Sequence, residues 1–246
     1  MARYHCILID LDNTLLDFDA AEAAALAGTL EHFNLLANEE TVTRYHEINK
    51  GLWAKLEKGQ IRKEQLQTQR FAMLLSALGR QGNPGQINDY YLDQLSKGGQ
   101  MLPGADEFLR DVEDYVTIGI ITNGMQKAQA GRLAASGIGE FADGVFISEK
   151  LGVAKPDKRF VNIALDKLGI TNRSRVLVIG DSISADIRCG QAAGLDTCWF
   201  NFKGLAAQDD GGKGPTYTVR GYEELKTVIL EQEELDHVGE KKRHSV

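Results

Sequence analysis

Asp10 and Asp12 stand one residue apart in Asp10-Leu11-Asp12-Asn13-Thr14, directly after the apolar run Cys6-Ile7-Leu8-Ile9. A carboxylate at the end of a buried strand is costly unless a cation or a hydrogen-bond donor meets it. On a chain that is already turning, two such groups can serve different atoms of one substrate. One can attack phosphorus while coordinating a metal. The other can give a proton to the leaving oxygen and later take one from water. An Asp- and Asn-rich loop that only caps a turn would have the same composition.

Three further clusters follow apolar runs in the same way. Ile118-Gly119-Ile120-Ile121 leads into Thr122-Asn123-Gly124, where a hydroxyl and successive backbone amides can form an anion-binding concavity or an ordinary turn. Lys155 precedes Pro156, read as a first-turn proline at a helix start. There the helix dipole disfavours a cation unless an anion offsets it. A nucleophilic Asp with a phosphate, or the nearby Asp157, can do so. Val176-Leu177-Val178-Ile179 runs into Gly180-Asp181-Ser182, with Asp186 in the first turn of the next helix. Asp181 and Asp186 can build an oxygen-rich Mg²⁺ site, one directly and one through water or by supporting a ligand. As a first-turn acid, Asp186 also suits the helix dipole on structural grounds alone.

Continuous β-branched runs of this length suit parallel strands buried on both faces, and open parallel sheets bind ligands at the carboxyl ends of their strands. From Pro103 onward strands and helices alternate. Strands are expected at Thr117–Ile121, Val145–Ile147, Arg175–Ile179, Thr197–Phe200 and Tyr217–Val219. Helices are expected between them, Gln126–Ser136 being stopped by Gly137. This pattern predicts an α/β fold, a doubly wound parallel sheet. Residues 17–97 instead repeat apolar residues at three- and four-residue intervals, with breakers at Gly59-Gln60 and Gly79–Gly85, and so predict an all-helical insertion. The expected organisation is a core of 1–16 and 98–230, a helical unit at 17–97 and a charged, fraying tail at 231–246. Gln208–Pro215 reads as a Gly-rich loop.

The net charge of −7 argues against a nucleic-acid polymer as partner, since duplex binding needs a basic face. Cys6, Cys189 and Cys198 lack metal-ligand spacing and read as buried reduced thiols. The first apolar stretch breaks at Asp10, so no signal peptide is expected. No run approaches the ~20 apolar residues of a membrane span. A cytoplasmic chain without a membrane partner is the expectation, as a monomer or small homo-oligomer.

Taken together, Asp10-x-Asp12-x-Thr14, Thr122, Lys155-Pro156 and Gly180-Asp181 with Asp186 resemble the four signature elements of the haloacid dehalogenase superfamily. The resemblance spans about residues 4–230, and the helical insertion is similar to the superfamily's type-one cap. Asn13 and the Trp53…Gly59…Arg70-Phe71 run resemble the branch containing bacterial pyrimidine 5′-nucleotidases. The resemblance implies that Asp10 is a nucleophile forming an aspartyl phosphate. It makes Asp12 the general acid/base, offering its backbone carbonyl to Mg²⁺. Thr122 and Asn123 would hold phosphate oxygens, and Lys155 would pair with Asp10 and the phosphoryl group. Asp181 would be the remaining metal ligand, with Asp186 orienting it or its water. The superfamily's dehalogenases and phosphonate-cleaving members lack an acid at the position of Asp12, so its presence points to phosphate esters.

The implied substrate is a small phosphorylated metabolite, with nucleoside 5′-monophosphates first. A sugar- or acid-phosphate phosphatase or a phosphomutase is the alternative, and a non-catalytic regulatory protein on the same fold a third. Within the insertion, Gly59-Gln60-Ile61 is the candidate specificity loop. Trp53, His46, Arg62 and Arg70 are candidates to stack on a base or bind a hydroxyl. Trp53 and Phe71 are expected mainly to pack within the insertion, and His46 to lie on a helix surface.

Overall fold

The computed structural model describes residues 2–206 and 212–231. The expected fraying tail beyond Glu231, and Gln208 to Gly211 of the expected Gly-rich loop, lie outside the described residues. The chain opens with β1 (Cys6–Asp10) and continues through helices α1 (Phe18–His32), α2 (Glu39–Glu57), α3 (Lys63–Ala77) and α4 (Pro84–Leu95). It then runs α5 (Ala105–Val112), β2 (Thr117–Thr122), α6 (Gln126–Ser136), β3 (Gly144–Ile147), the short α7 (Ser148–Leu151) and α8 (Lys158–Lys167). β4 (Val176–Gly180), α9 (Arg188–Ala192), β5 (Asp196–Phe200), β6 (Tyr217–Val219) and α10 (Tyr222–Ile229) complete it. By internal contacts the chain divides into two compact units. One comprises Met1–Asp17, Gln100–Gln126 and Ser136–Val246; the other comprises Phe18–Gly99 with Lys127–Ala135.

The first unit is built on one sheet of six parallel strands in the order β3-β2-β1-β4-β5-β6. Every residue of β1 and β4 is buried, as continuous apolar runs require of central parallel strands. Successive strands step outward from β1 through β2 to β3, and the chain then returns across β1 to lay down β4. The reversal falls between β1 and β4, the position where doubly wound sheets leave a crevice at their carboxyl ends. Asp10 ends β1 and Asp181 follows β4, so the topology alone brings these carboxylates to one place.

On one face, Cys6, Leu8, Val176 and Val178 pack with Phe160, Val161, Ala164 and Leu165 of α8 and with Cys189 of α9. Gly119 lets α8 settle there, since a Cβ on it would lie 2.7 Å from Leu8 and 3.0 Å from Leu168. Elsewhere α5 and α10 pack together, with Phe108 stacked on Tyr222 at 5.2 Å between ring centres. Lys226 Nζ meets the buried Asp111 carboxylate at 2.8 Å. All three cysteines are free and buried, as the sequence suggests.

The second unit is helical. Asn38 caps α2 by accepting from Thr41 N, and Asn83 caps α4, whose first residue is Pro84. Tyr45, Phe71 and Tyr91 form its aromatic centre, with ring centres 5.5 to 5.9 Å apart. The segment Lys127–Ala135 groups here because Gly131 admits Ser96, whose Cβ would lie 2.6 Å from a Cβ on that glycine. Among the described residues no helix is long and apolar enough to cross a membrane.

Candidate active site

Lys155 is the hub of the polar cluster at the β1–β4 crevice. Its Nζ donates to Asp10 Oδ1 at 2.5 Å, to Asp186 Oδ1 at 2.6 Å and to the Ile121 carbonyl at 3.1 Å. An ammonium has three donors, and all three are used. Lys155, Asp10 and Asp186 are each buried. Ile121 pairs with Asp10 in the β1–β2 ladder, so one register places both the carboxylate and the carbonyl that receive the lysine.

Asp181 completes the cluster. One carboxylate oxygen from each of Asp10, Asp181 and Asp186 can be chosen so that all lie within 4.8 Å of one another. The Asp181 carbonyl accepts the indole N–H of the buried Trp199 at 2.8 Å. Asp186 is held by a bond from Ser182 N to its Oδ2 at 3.1 Å. It also lies against Gly180, where a Cβ would come within 2.2 Å of its carboxylate carbon. Gly180 is therefore required by close approach rather than by a turn.

Charge explains the cluster's tension. Burial pushes the Asp10 carboxyl well above the usual range; Lys155 opposes this, and Asp186, Asp181 and Asp12 add to it. Burial, then Asp186, pushes Asp181 up to about 7. Burial works against the Lys155 charge, but Asp10 and then Asp186 more than reverse that, and the ammonium titrates above the ordinary lysine range. Asp10, Asp181 and Asp186 gather around the Lys155 ammonium, with Lys203 adding positive charge toward Asp181, and a divalent ion would balance the negative charge that remains. The donors are all hard oxygens, the set that suits Mg²⁺.

The other expected residues are placed as follows. Thr122 is buried, and its Oγ1 accepts from Gly124 N at 3.0 Å, closing the turn after β2. Asn123 faces Lys155: its Nδ2 donates to Lys155 O at 2.8 Å, and its Oδ1 accepts from Lys155 N at 3.0 Å. Asp12 lies in the loop after β1, where Asn13 adopts a left-handed φ of 57° and donates its N–H to Leu16 O. Left-handed backbone is accessible to Asn more than to most residues. Asp12's carboxylate is outside the 4.8 Å cluster of Asp10, Asp181 and Asp186. Thr14 is buried, its carbonyl accepting from Tyr222 Oη at 2.7 Å.

Two local expectations are corrected. Pro156 is not a first-turn residue: α8 begins at Lys158, capped by the side chain of Asp157. Of the two protein anions expected beside Lys155, Asp10 meets the ammonium, joined by Asp186, whereas Asp157 pairs with Arg159 at 2.6 Å. Asp186 lies in the first turn of the helical segment after β4, which is wide over Ile183–Ile187 and continues as α9; both Asp186 N and Ile187 N donate to Ser182 O there. Wide turns of this kind recur at functional sites.

Within the helical unit, Arg70 is buried, bonded through two nitrogens to Asn88 Oδ1 and set 4.5 Å over the Tyr91 ring. Phe71 is buried and Trp53 half-buried. His46 is half-exposed, with Nδ1 3.3 Å from Glu22. Arg62 is exposed at the start of α3, and Gly59 turns the α2–α3 loop with a φ of 67°. The Trp199 bond to Asp181 has one signal in the sequence, a Trp near the end of a buried strand, whose N–H needs an acceptor.

A family model described as a haloacid dehalogenase-like hydrolase matches residues 4–194. The pyrimidine 5′-nucleotidase PynA of Streptococcus pneumoniae is 37% identical over 227 residues, covering 90% of this chain and 93% of that protein. The pyrimidine 5′-nucleotidase YjjG of Escherichia coli is 34% identical over 227 residues, covering 92% of this chain and 98% of that one. The magnesium-bound crystal structure of YfnB from Bacillus subtilis, named as a HAD-hydrolase, superposes with a TM-score of 0.86 at 35% identity, covering 92% of this chain and 98% of that chain.

Proposed function

The chain belongs to the haloacid dehalogenase-like hydrolase family, and on that premise we propose that it is a Mg²⁺-dependent nucleoside 5′-monophosphate phosphatase that works through an aspartyl phosphate on Asp10. The observation that carries the reading is the Lys155 ammonium held between Asp10 at 2.5 Å and Asp186 at 2.6 Å, with Asp181 in the same cluster. This grouping supports a site in which a nucleophile, fixed positive charge and hard oxygen donors act together at the carboxyl edge of the sheet. The nucleotide class is supported by the two pyrimidine 5′-nucleotidases at 34 and 37% identity. It therefore centres on pyrimidine nucleotides.

In this reading Asp10 Oδ attacks phosphorus, and the bond from phosphorus to the ester oxygen breaks. Asp12 gives its proton to the departing alkoxide, which leaves as the nucleoside. Asp12 then takes a proton from water as that water attacks the phosphorus of the acyl phosphate, releasing orthophosphate and restoring Asp10. Lys155 keeps positive charge beside Asp10 throughout, and Thr122 serves the phosphate oxygens. Asp10 and Asp181, with the Asp12 carbonyl, would hold Mg²⁺, and Asp186 would support them. When bound, the ion neutralises phosphate oxygens and draws Asp10 and Asp181 into their charged forms. The helical insertion at 17–97 is proposed as the substrate-selecting cap.

The test is phosphate release from a panel of nucleotides, sugar phosphates and acid phosphates, with Mg²⁺ and with chelator. Pyrimidine nucleoside 5′-monophosphates should be the preferred esters, chelation should abolish turnover, and Asp10→Asn should be inactive. Unchanged release by Asp10→Asn would sink the catalytic assignment; a preference for sugar phosphates would sink the nucleotide class alone.

A further inference from the structure

We infer that the Asn123 side chain is a positioning residue: it fixes the Lys155 main chain that aims the ammonium, and does not act as a phosphate ligand. The inference rests on the phosphatase reading above. Both ends of the Asn123 amide meet Lys155, with Nδ2 to Lys155 O at 2.8 Å and Lys155 N to Oδ1 at 3.0 Å. The pair of bonds repeats what a neighbouring strand would supply. The orientation of the amide follows from its partners, because the opposite flip would set donor against donor and acceptor against acceptor.

The segment depends on this pairing. Lys155 lies in the irregular stretch between α7, which ends at Leu151, and α8, which begins at Lys158. Gly152 N→Ser148 O and Asp157 N→Ala154 O bound that stretch, and neither bond involves Lys155. Lys155 is buried, so its N–H and C=O need partners from the protein. Asn123 supplies both.

A lysine ammonium sits at the end of a flexible four-carbon stem, so its aim depends on a fixed root as well as on its acceptors. The end of β2 provides for both. The Ile121 carbonyl takes the ammonium, and two residues later Asn123 takes the peptide. Because Ile121 is in register with Asp10, the root, the tip and the carboxylate beside it derive from a single strand pairing. Nδ2 carries a second hydrogen, so the positioning and ligand roles have to be separated by measurement.

The test is a double-mutant cycle with Asn123→Ala and Lys155→Met, assayed on p-nitrophenyl phosphate with Mg²⁺, together with inhibition by orthophosphate. Asn123→Ala should lower kcat about 10- to 100-fold, with KM and the orthophosphate inhibition constant changed less than about threefold. In the Lys155→Met background the same substitution should cost less than about twofold, because the residue acts only through Lys155. An equal loss in both backgrounds, or a loss confined to KM and phosphate affinity, would overturn the inference. Asn123→Ser is run in parallel, with melting followed for both, so that a folding defect in one variant does not decide the result. If the wild-type chain releases phosphate from no ester, the functional reading fails instead. The inference is then read from the crystal structure of Asn123→Ala, where a Lys155 Nζ still bonded to Asp10 and Asp186 would overturn it.

Discussion

A Cβ on Gly180 would lie 2.2 Å from the Asp186 carboxylate, so the absence of a side chain at the end of β4 is what allows Asp186 to reach Lys155. Gly180→Ala must displace Asp186. The expected result is a fall in kcat/KM of about 10² or more, the scale for losing a preorganised electrostatic contact. A stability loss of about 1–3 kcal/mol from overpacking should accompany it. Phosphate-release kinetics and urea unfolding measure the two; wild-type turnover in this variant would show the contact to be dispensable.

Lys155→Met removes the only cation bonded to Asp10 and Asp186 among the described ion pairs. Breaking a buried pair by deleting one partner costs about 3–5 kcal/mol, because a buried charge is left uncompensated. Asp10 and Asp186 can shed part of that cost by taking up protons. Turnover should fall by about 10² to 10³, as for other lost electrostatic groups. Mg²⁺ should raise the melting temperature of this variant more than that of the wild type; an equal or smaller rise would contradict the charge argument.

Asp181 titrates near 3.8 when unfolded and up to about 7 when folded. Between those values the folded chain holds a proton that the unfolded chain has lost. The group's contribution is therefore fully present below about 4 and lost as the pH rises through 7. In chelator, stability should decline over that window. A metal ion that demands the carboxylate should bind more tightly as pH rises, releasing protons as it does. Melting curves from pH 5 to 8 with and without Mg²⁺ give the answer, and a metal-induced shift that is flat with pH would refute it.

Lys226 and Asp111 form a buried pair at 2.8 Å between α10 and α5. Lys226→Met should destabilise the fold by about 3 kcal/mol, because it deletes the cation paired with the buried Asp111 carboxylate. Its kcat and KM, corrected for folded fraction, should match the wild type, because the bonds of the Lys155 ammonium run to Asp10, Asp186 and Ile121 and not to this pair. Loss of kcat without loss of stability would tie α10 to the site.

The three strands that carry the site were legible because each is a short apolar, β-branched run ended by Asp10, Thr122 or Gly180. Thr117–Thr122, Val176–Gly180 and Tyr217–Val219 fall within a residue of their expected bounds. Their edge residues carried the site as well, since in a parallel sheet every strand delivers its carboxyl end to the same side. What the sequence could not supply is pairing between distant side chains. Asp186 meets Lys155 across 31 residues of chain, and Trp199 meets Asp181 across 18. Nor could it place Pro156, because Asp157 and Pro156 are both acceptable at the start of a helix and local propensity does not choose between them. The turn at Ile183–Ile187 has the sequence pattern of ordinary helix, since one residue of extra width leaves no mark on the apolar spacing.

Trp199 also makes the site observable by light. The chain has two tryptophans, and the other, Trp53, belongs to the helical unit. With Trp53→Phe the remaining indole is a lone fluorophore hydrogen-bonded to the peptide of Asp181. Its emission should then follow occupancy of the cation site in real time, giving a titration curve that needs neither substrate nor dye.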